Sequence, residues 1–293
     1  MKLQKETVEK TLYDYQEEDL HAIFKYLDEN GDNSNLLYQL PTGGGKTVVF
    51  SEIAKRYIAK TNKKKIVLTH RIELSQQTSK MLNGFGVKNK IINSEVKEWQ
   101  DQDEFMCFVA MVETLNNRLQ EEKIEINNIG LVIIDEAHYN SFRKLFKFFE
   151  NSVILGVTAT PLSSNIKLPM KDNYKKLIVG ESIDSLIQKK FLAKANMYNY
   201  DVSLQTLKLG ISGDYTVKSS DELYGNHSML NKLEAAYNEI GKGTKTLIFN
   251  NGINTSRYVC ETFKKAGYNI RHLDNKNNAS ERKEILKKRP MPY

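Results

Sequence analysis

Residues 41–47 read PTGGGKT, directly after the short apolar run Leu36 to Leu40 and at the start of an amphipathic stretch, Lys46 to Ile58. The run predicts a buried strand. The stretch predicts a helix with Val49, Ile53, Ala54 and Tyr57 on one face. Gly43, Gly44 and Gly45 between them let the backbone curl until successive N–H groups point at phosphate oxygens. The helix N-terminus adds partial positive charge. Lys46 can reach β and γ phosphates, and the Thr47 hydroxyl can hold Mg²⁺. Position 40 is Leu, so the strict GxxxxGK[ST] spacing is not met, but the shorter TGxGKT is met in full. The expected ligand is ATP with Mg²⁺, cradled by Thr42, Gly43, Gly44, Gly45, Lys46 and Thr47.

Working outward, the same alternation recurs. Lys65 to Thr69, Phe105 to Met111, Leu131 to Asp135 and Val153 to Val157 read as buried strands. Glu73 to Leu82, Glu113 to Leu119 and Phe142 to Phe149 read as the helices between them. Strand–helix alternation implies right-handed crossovers and a parallel sheet covered on both faces. Ligands of such sheets sit at the carboxyl ends of the strands. A looser stretch, Leu162 to Tyr174, is followed by a short helix from Ser182 to Lys190. A second unit then repeats the pattern: strands at Lys245 to Asn250 and Asn269 to Leu273, helices at Ser256 to Ala266 and Ser280 to Lys288.

Two further strand ends carry chemistry. VIIDEAH, residues 132–138, delivers adjacent carboxylates. Asp135 suits the Mg²⁺ shell, Glu136 can orient and deprotonate a water, and His138 can bridge to neighbouring groups. GVTATP, residues 156–161, ends in small hydroxyl side chains. Thr158 and Thr160 there are candidates for a relay between the nucleotide and a second ligand. A strand end turning at Pro161 is the plainer reading of that segment.

Bulk composition narrows the class. The chain has 293 residues, 40% hydrophobic and 27% charged, as expected of two globular domains rather than a disordered chain. The net charge of +7 is uneven: residues 1–160 carry −2 and residues 161–293 carry +9. A basic half suits a polyanionic partner, and it equally suits a solvated lysine-rich surface. The N-terminal MKLQKETVEK lacks a signal-peptide apolar core, and the longest apolar runs are too short for a bilayer. Cys107 and Cys260 have no metal-ligand spacing and read as core thiols. The expected location is cytoplasmic, with no membrane partner.

PTGGGKT, VIIDEAH and GVTATP, in this order and spacing, resemble superfamily-2 DEAD/DEAH-type helicases, and most of all their restriction-helicase-like branch. The resemblance implies an α/β P-loop fold: a RecA-like parallel sheet over residues 1–195 and an incomplete second RecA-like lobe over residues 196–293. It implies ATP-driven translocation on nucleic acid, with DNA favoured and RNA left open. LYDYQ, residues 12–16, looks like the family's adenine-reading segment, with Gln16 at the base edge; Tyr13 and Asp14 depart from the Arg-Pro pattern there. LTHRIELSQQ, residues 68–77, looks like its first nucleic-acid motif, which assigns Thr69, His70 and Arg71 to the phosphodiester backbone. VAMVETL, residues 109–115, looks like the next, with Thr114 as a phosphate donor. Trp99 is a candidate base stacker or an ordinary partly buried aromatic. Residues 178–195 resemble the bridge between lobes; TLIFNNGINTS and ERKEIL resemble the start of the second lobe.

The family's last motif contains a Gly-Arg pair whose arginines reach the γ-phosphate, and the 293 residues contain no Gly-Arg dipeptide. The resemblance therefore implies ATP binding with poor turnover by these residues alone. A further chain supplying the rest of the lobe is one expectation. A nucleotide-gated clamp without efficient catalysis is another.

Overall fold

The computed structural model describes residues 11–31, 34–93, 102–121, 127–163, 165–210 and 214–287. The chain divides into two compact units, Met1–Asn196 and Met197–Tyr293.

The first unit opens with α1 (Asp14–Asn30), β1 (Leu36–Gln39), α2 (Lys46–Thr61), β2 (Lys64–Thr69), α3 (Ile72–Gly84) and β3 (Asn89–Ile92). It continues with β4 (Cys107–Met111), α4 (Val112–Gln120), β5 (Ile129–Asp135), β6 (Val153–Thr158), β7 (Lys176–Val179) and α5 (Ile183–Gln188). The strands form one sheet in the order β3-β4-β2-β5-β6-β1-β7, and every neighbouring pair is parallel. This is a RecA-like P-loop α/β fold.

Alternation within the apolar runs builds two cores. Leu131 and Ile133 of β5 join Val49, Phe50 and Ile53 of α2 on one face. Val132 and Ile134 of the same strand join Leu115 of α4 with Phe142 and Leu145 on the other. A strand buried on both faces needs apolar residues at every position, which is why β5 carries no polar break before Asp135.

The structure departs from expectation at the margins. Phe142 to Phe149 does not form an α-helix; a 3₁₀ helix runs Asn140–Phe148 and buries Phe142 and Leu145, three residues apart as that tighter winding requires. The sheet does not close at Val157. β7 adds an edge strand beside β1, and β3 forms the opposite edge. Both edges are four residues long and mostly unburied, so neither shows a buried-strand pattern.

The second unit holds α6 (Val217–Tyr224), α7 (His227–Ala236), α8 (Ile253–Lys265) and α9 (Ala279–Lys287). Leu230, Val259 and Phe263 form its small core. The strands expected at Lys245 to Asn250 and Asn269 to Leu273 do not form: among the described residues, this unit's strand pairing is limited to one antiparallel bridge, Leu209 with Tyr215. A β-strand exists only through a partner ladder. Without one, Leu247 and Phe249 stand 72% and 91% exposed.

One core residue violates the pattern. Lys65 of β2 is fully buried, opposite Cys107 of β4, with its Nζ 5.2 Å from the Tyr57 ring centroid and no hydrogen-bond partner among the described residues. Burial pulls its pKa down to about 7 and pushes the Cys107 thiol up to about 12. An unfolded lysine titrates near ~10.4. Between these values the unfolded chain binds the extra proton, so stability rises with pH, and the cost of Lys65 is fully felt below about pH 7. Lys65→Met should therefore raise Tm, by roughly 2–4 °C per kcal/mol recovered. The gain should be largest at pH 6.5 and shrink toward pH 10, read by circular-dichroism melts across that range.

Candidate active site

The phosphate loop is rooted at both ends. At its start, the Leu40 N–H donates to the Thr158 carbonyl of β6 at 3.1 Å. Gly44 N–H then turns back to the Pro41 carbonyl at 3.0 Å. Gly43 and Gly45 have φ of +88° and +87°, a region where side-chain-bearing residues are strained. Gly45 caps α2, and its carbonyl accepts from Val48 and Val49 N–H groups. Lys46 is the first residue of α2, with its Nζ 3.4 Å from the Leu40 carbonyl oxygen, folded back over the loop. Thr42 and Gly43 are exposed; Gly45, Lys46 and Thr47 are partly exposed.

Helix α1 braces this loop from behind. Tyr15 Oη donates to the Gly44 carbonyl at 2.8 Å, and Gln16 Nε2 donates to the same oxygen at 3.2 Å. Gln16 Oε1 accepts from Tyr13 N–H at 3.0 Å. Gln16 is 3% exposed, with both ends of its amide engaged. Buried polar groups take partners where they find them, and those of Gln16 lie in the loop and at the start of α1. On the outer side, Leu192 covers Gly43, where a Cβ would approach Leu192 Cδ2 to 2.7 Å. Next to it, Phe191 packs on Tyr13 and Tyr15 at ring-centroid distances of 4.5 and 5.1 Å. The sequence pattern did not single out this aromatic cluster, although Tyr13 and Tyr15 flank Asp14 within LYDYQ.

The acidic pair stands at the end of β5. Burial, and then the neighbouring Glu136, raises the Asp135 pKa to about 6, with Lys46 opposing. Asp135 Oδ1 accepts the Glu136 N–H at 3.1 Å. Glu136 has φ of +54°, an uncommon conformation for a residue with a Cβ, and it turns the chain sharply out of the strand. His138 Nδ1 lies 3.4 Å from Glu136 Oε2 and 3.0 Å from Thr158 Oγ1. Thr158 is fully buried, and its hydroxyl both accepts the Thr160 N–H and reaches the Thr160 carbonyl, each at 3.1 Å. Glu136, His138, Thr158 and Thr160 therefore form one polar chain between β5 and β6.

The residues assigned to nucleic acid divide. Arg71 is exposed at the N-cap of α3, and Thr114 is half-buried in the first turn of α4. Thr69 is fully buried, and its hydroxyl lies 2.6 Å from Ser75 Oγ. Its hydroxyl ties the end of β2 to the first turn of α3. Trp99 lies outside the described residues.

The family described as "Type III restriction enzyme, res subunit" (ResIII) matches residues 9–163, more than half the chain. The chain belongs to the ResIII family. It is a superfamily-2, restriction-helicase-like protein, and its kinship is with ATP-dependent nucleic-acid helicases. A 51.5 kDa protein of Lactococcus phage (isolate 7-9) is 29% identical over 254 residues, 85% of this chain and 51% of the relative. The ATP-dependent DNA helicase mph1 of Neurospora crassa is 32% identical over 152 residues, 46% of this chain and 13% of that protein. The nuclease-deletion mutant of the Type ISP restriction-modification enzyme LlaGI, solved with a DNA substrate mimic, superposes with a TM-score of 0.52. That likeness has 16% identity and covers 62% of this chain and 21% of LlaGI. The chain thus spans about half the length of the phage relative.

This ResIII phosphate loop leaves little room for change at Gly45. A Cβ there would meet Gln16 Nε2 at 2.5 Å, on a backbone already at φ +87°. The left-handed conformation alone costs a side-chain-bearing residue about 1–2 kcal/mol. Gly45→Ala should weaken binding of a fluorescent ATP analogue about tenfold or more, measured by titration, while the far-ultraviolet circular dichroism stays that of the wild type.

Proposed function

We propose that this chain is the ATP-binding part of a nucleic-acid motor, gripping ATP·Mg²⁺ and the phosphodiester backbone, with DNA preferred. The observation that carries the reading is the convergence of Lys46, Asp135, Glu136 and the His138–Thr158 pair at the carboxyl ends of β1, β5 and β6. Lys46 holds the β and γ phosphates. The Thr47 hydroxyl and Asp135 carboxylate are hard oxygen donors, and one or two such ligands plus phosphate oxygens suit Mg²⁺. When bound, Mg²⁺ neutralises charge on the transferring phosphoryl group. Glu136 accepts a proton from the attacking water at its carboxylate. The strained turn at Glu136 sets that carboxylate beside His138, which ties it to the Thr158–Thr160 strand end.

The Tyr13–Phe191 face, exposed beside the loop, is apolar and aromatic and suits a purine ring. Gln16 meets the base edge only if its amide first leaves the Gly44 carbonyl. The phosphate strand of the nucleic acid runs past Arg71 and Thr114. An arginine reaching the γ-phosphate is worth about 10³–10⁵ in rate for such motors. These 293 residues contain no Gly-Arg dipeptide, and slow turnover is accordingly expected of these residues alone.

Lys46→Ala should abolish binding of a fluorescent ATP analogue. Glu136→Gln should keep that binding while lowering residual phosphate release by about 10²-fold or more. Retained turnover in Glu136→Gln would overturn the catalytic assignment. Affinity for oligothymidylate should fall steeply between 50 and 200 mM salt, roughly 0.7 decades per decade of salt for each phosphate neutralised. A flat response in fluorescence anisotropy would overturn the backbone grip.

A further inference from the structure

Between the candidate ATP site and the candidate nucleic-acid segment lie three rings in contact. Tyr139 follows His138 directly and precedes the Asn140–Phe148 3₁₀ helix. Its ring centroid is 4.3 Å from that of His138 on one side and 4.6 Å from that of His70 on the other. The planes are tilted by 37° and 44°, between the stacked and edge-to-face arrangements. His138 bonds the Thr158 hydroxyl and approaches Glu136. His70 immediately precedes Arg71, the exposed N-cap of α3. The stack therefore reaches from the carboxylate at the end of β5 to the start of the helix assigned to the phosphodiester backbone.

Two details make the rings more than filler. The Nδ1 of His70 is buried and has no hydrogen-bond partner among the described residues, and Tyr139 lies against the ring's face. The Tyr139 backbone is itself tied to the acidic turn, its N–H donating to the Glu136 carbonyl at 3.1 Å. Any shift of the Glu136 turn moves the base of Tyr139, and any shift at Arg71 moves the ring that rests on Tyr139.

We infer that Tyr139 is a positioning residue that couples nucleotide occupancy to nucleic-acid grip through the His138–Tyr139–His70 stack. The inference rests on the motor reading above and names the contact through which its two ligands sense each other. Coupling of this kind is reciprocal: a factor by which nucleotide tightens or loosens nucleic acid is the factor by which nucleic acid changes nucleotide affinity, typically about 5- to 150-fold.

The test measures oligothymidylate affinity of the full 293-residue chain with and without a saturating non-hydrolysable ATP analogue and Mg²⁺. The wild type should show a ratio well away from one. Tyr139→Ala should bring the ratio to within about twofold of one, with each ligand alone bound within about threefold of wild type. Tyr139→Phe, which keeps the ring, should restore the wild-type ratio. A structural role alone would weaken both ligands together without separating the ratio from the individual affinities. An unchanged ratio in Tyr139→Ala overturns the inference and leaves the motor reading standing. A wild-type ratio of one overturns both. If Tyr139→Ala loses both ligands together, Tyr139→Leu keeps the bulk without the aromatic face, and an unchanged ratio in that variant overturns the inference.

Discussion

The hydrogen bond from Leu40 N–H to the Thr158 carbonyl joins the root of the phosphate loop to the end of β6. It extends a ladder in which Gln39 already faces Thr158 in register. On the other side of β6, Asp135 faces Val157 in the next ladder. Three strand ends are thus held side by side by backbone geometry that no side chain can alter. Because all the strands run parallel, their carboxyl ends share one edge. The glycine loop, the acidic pair and the Thr158–Thr160 turn can approach one another only there. Side chains from positions 46, 135 and 158 then meet without any long excursion of the chain.

That arrangement creates an electrostatic conflict at its centre. β5 is apolar on both faces, so the carboxylate that ends it sits in surroundings that disfavour its charge. Burial and Glu136 raise Asp135 to about 6, and Lys46 is the cation that opposes them. An acid held in this balance responds strongly to a divalent cation or a shift of Lys46, because no other counter-charge dominates. The backbone joins in. Glu136 takes a left-handed φ although it carries a Cβ, and such strain persists only where surrounding contacts over-determine it. Those contacts are the Glu136 N–H bond to Asp135, the Tyr139 N–H bond to the Glu136 carbonyl and the Ala137 N–H bond to the Val157 carbonyl.

Much of this was legible in the sequence because burial writes itself as composition. A run such as LVIID has one reading when flanked by turn residues, and PTGGGKT between a run and an amphipathic stretch fixes the order strand, loop, helix. Legibility fails where burial is partial. β3 and β7 lie at the sheet edges and carry no continuous apolar run. Phe142 and Leu145 satisfy a 3₁₀ winding as readily as an α-helical one, and their burial with Leu115 and Tyr174 is compatible with either. Gln16 and Thr69 are given ligand roles by the family resemblance, which carries no information on their burial. Both side chains are buried and hydrogen-bonded within the fold, Gln16 to the Gly44 carbonyl and Thr69 with Ser75. Tyr139 carries no motif at all; its interest comes only from what the fold places on its two faces.

The second unit shows the limit of reading strands from apolar runs. KTLIFN carries a short apolar run like those of the first unit's strands, yet it forms no ladder among the described residues. Composition specifies that Leu247, Ile248 and Phe249 favour burial between layers; it does not supply the layers. In the first unit each central strand has neighbours on both edges and helices on both faces, so pairing and burial reinforce each other. Here Ile248 packs against the small Leu230–Val259–Phe263 core, while Leu247 and Phe249 point away from it into solvent. Alternation along the segment is thus already that of a strand, one residue inward and its neighbours outward. What differs is the backbone, whose N–H and C=O groups meet no adjacent strand. A strand is therefore a property of a pair, and the same apolar hexapeptide is a sheet element or an extended tether according to whether a second backbone lies within hydrogen-bonding distance.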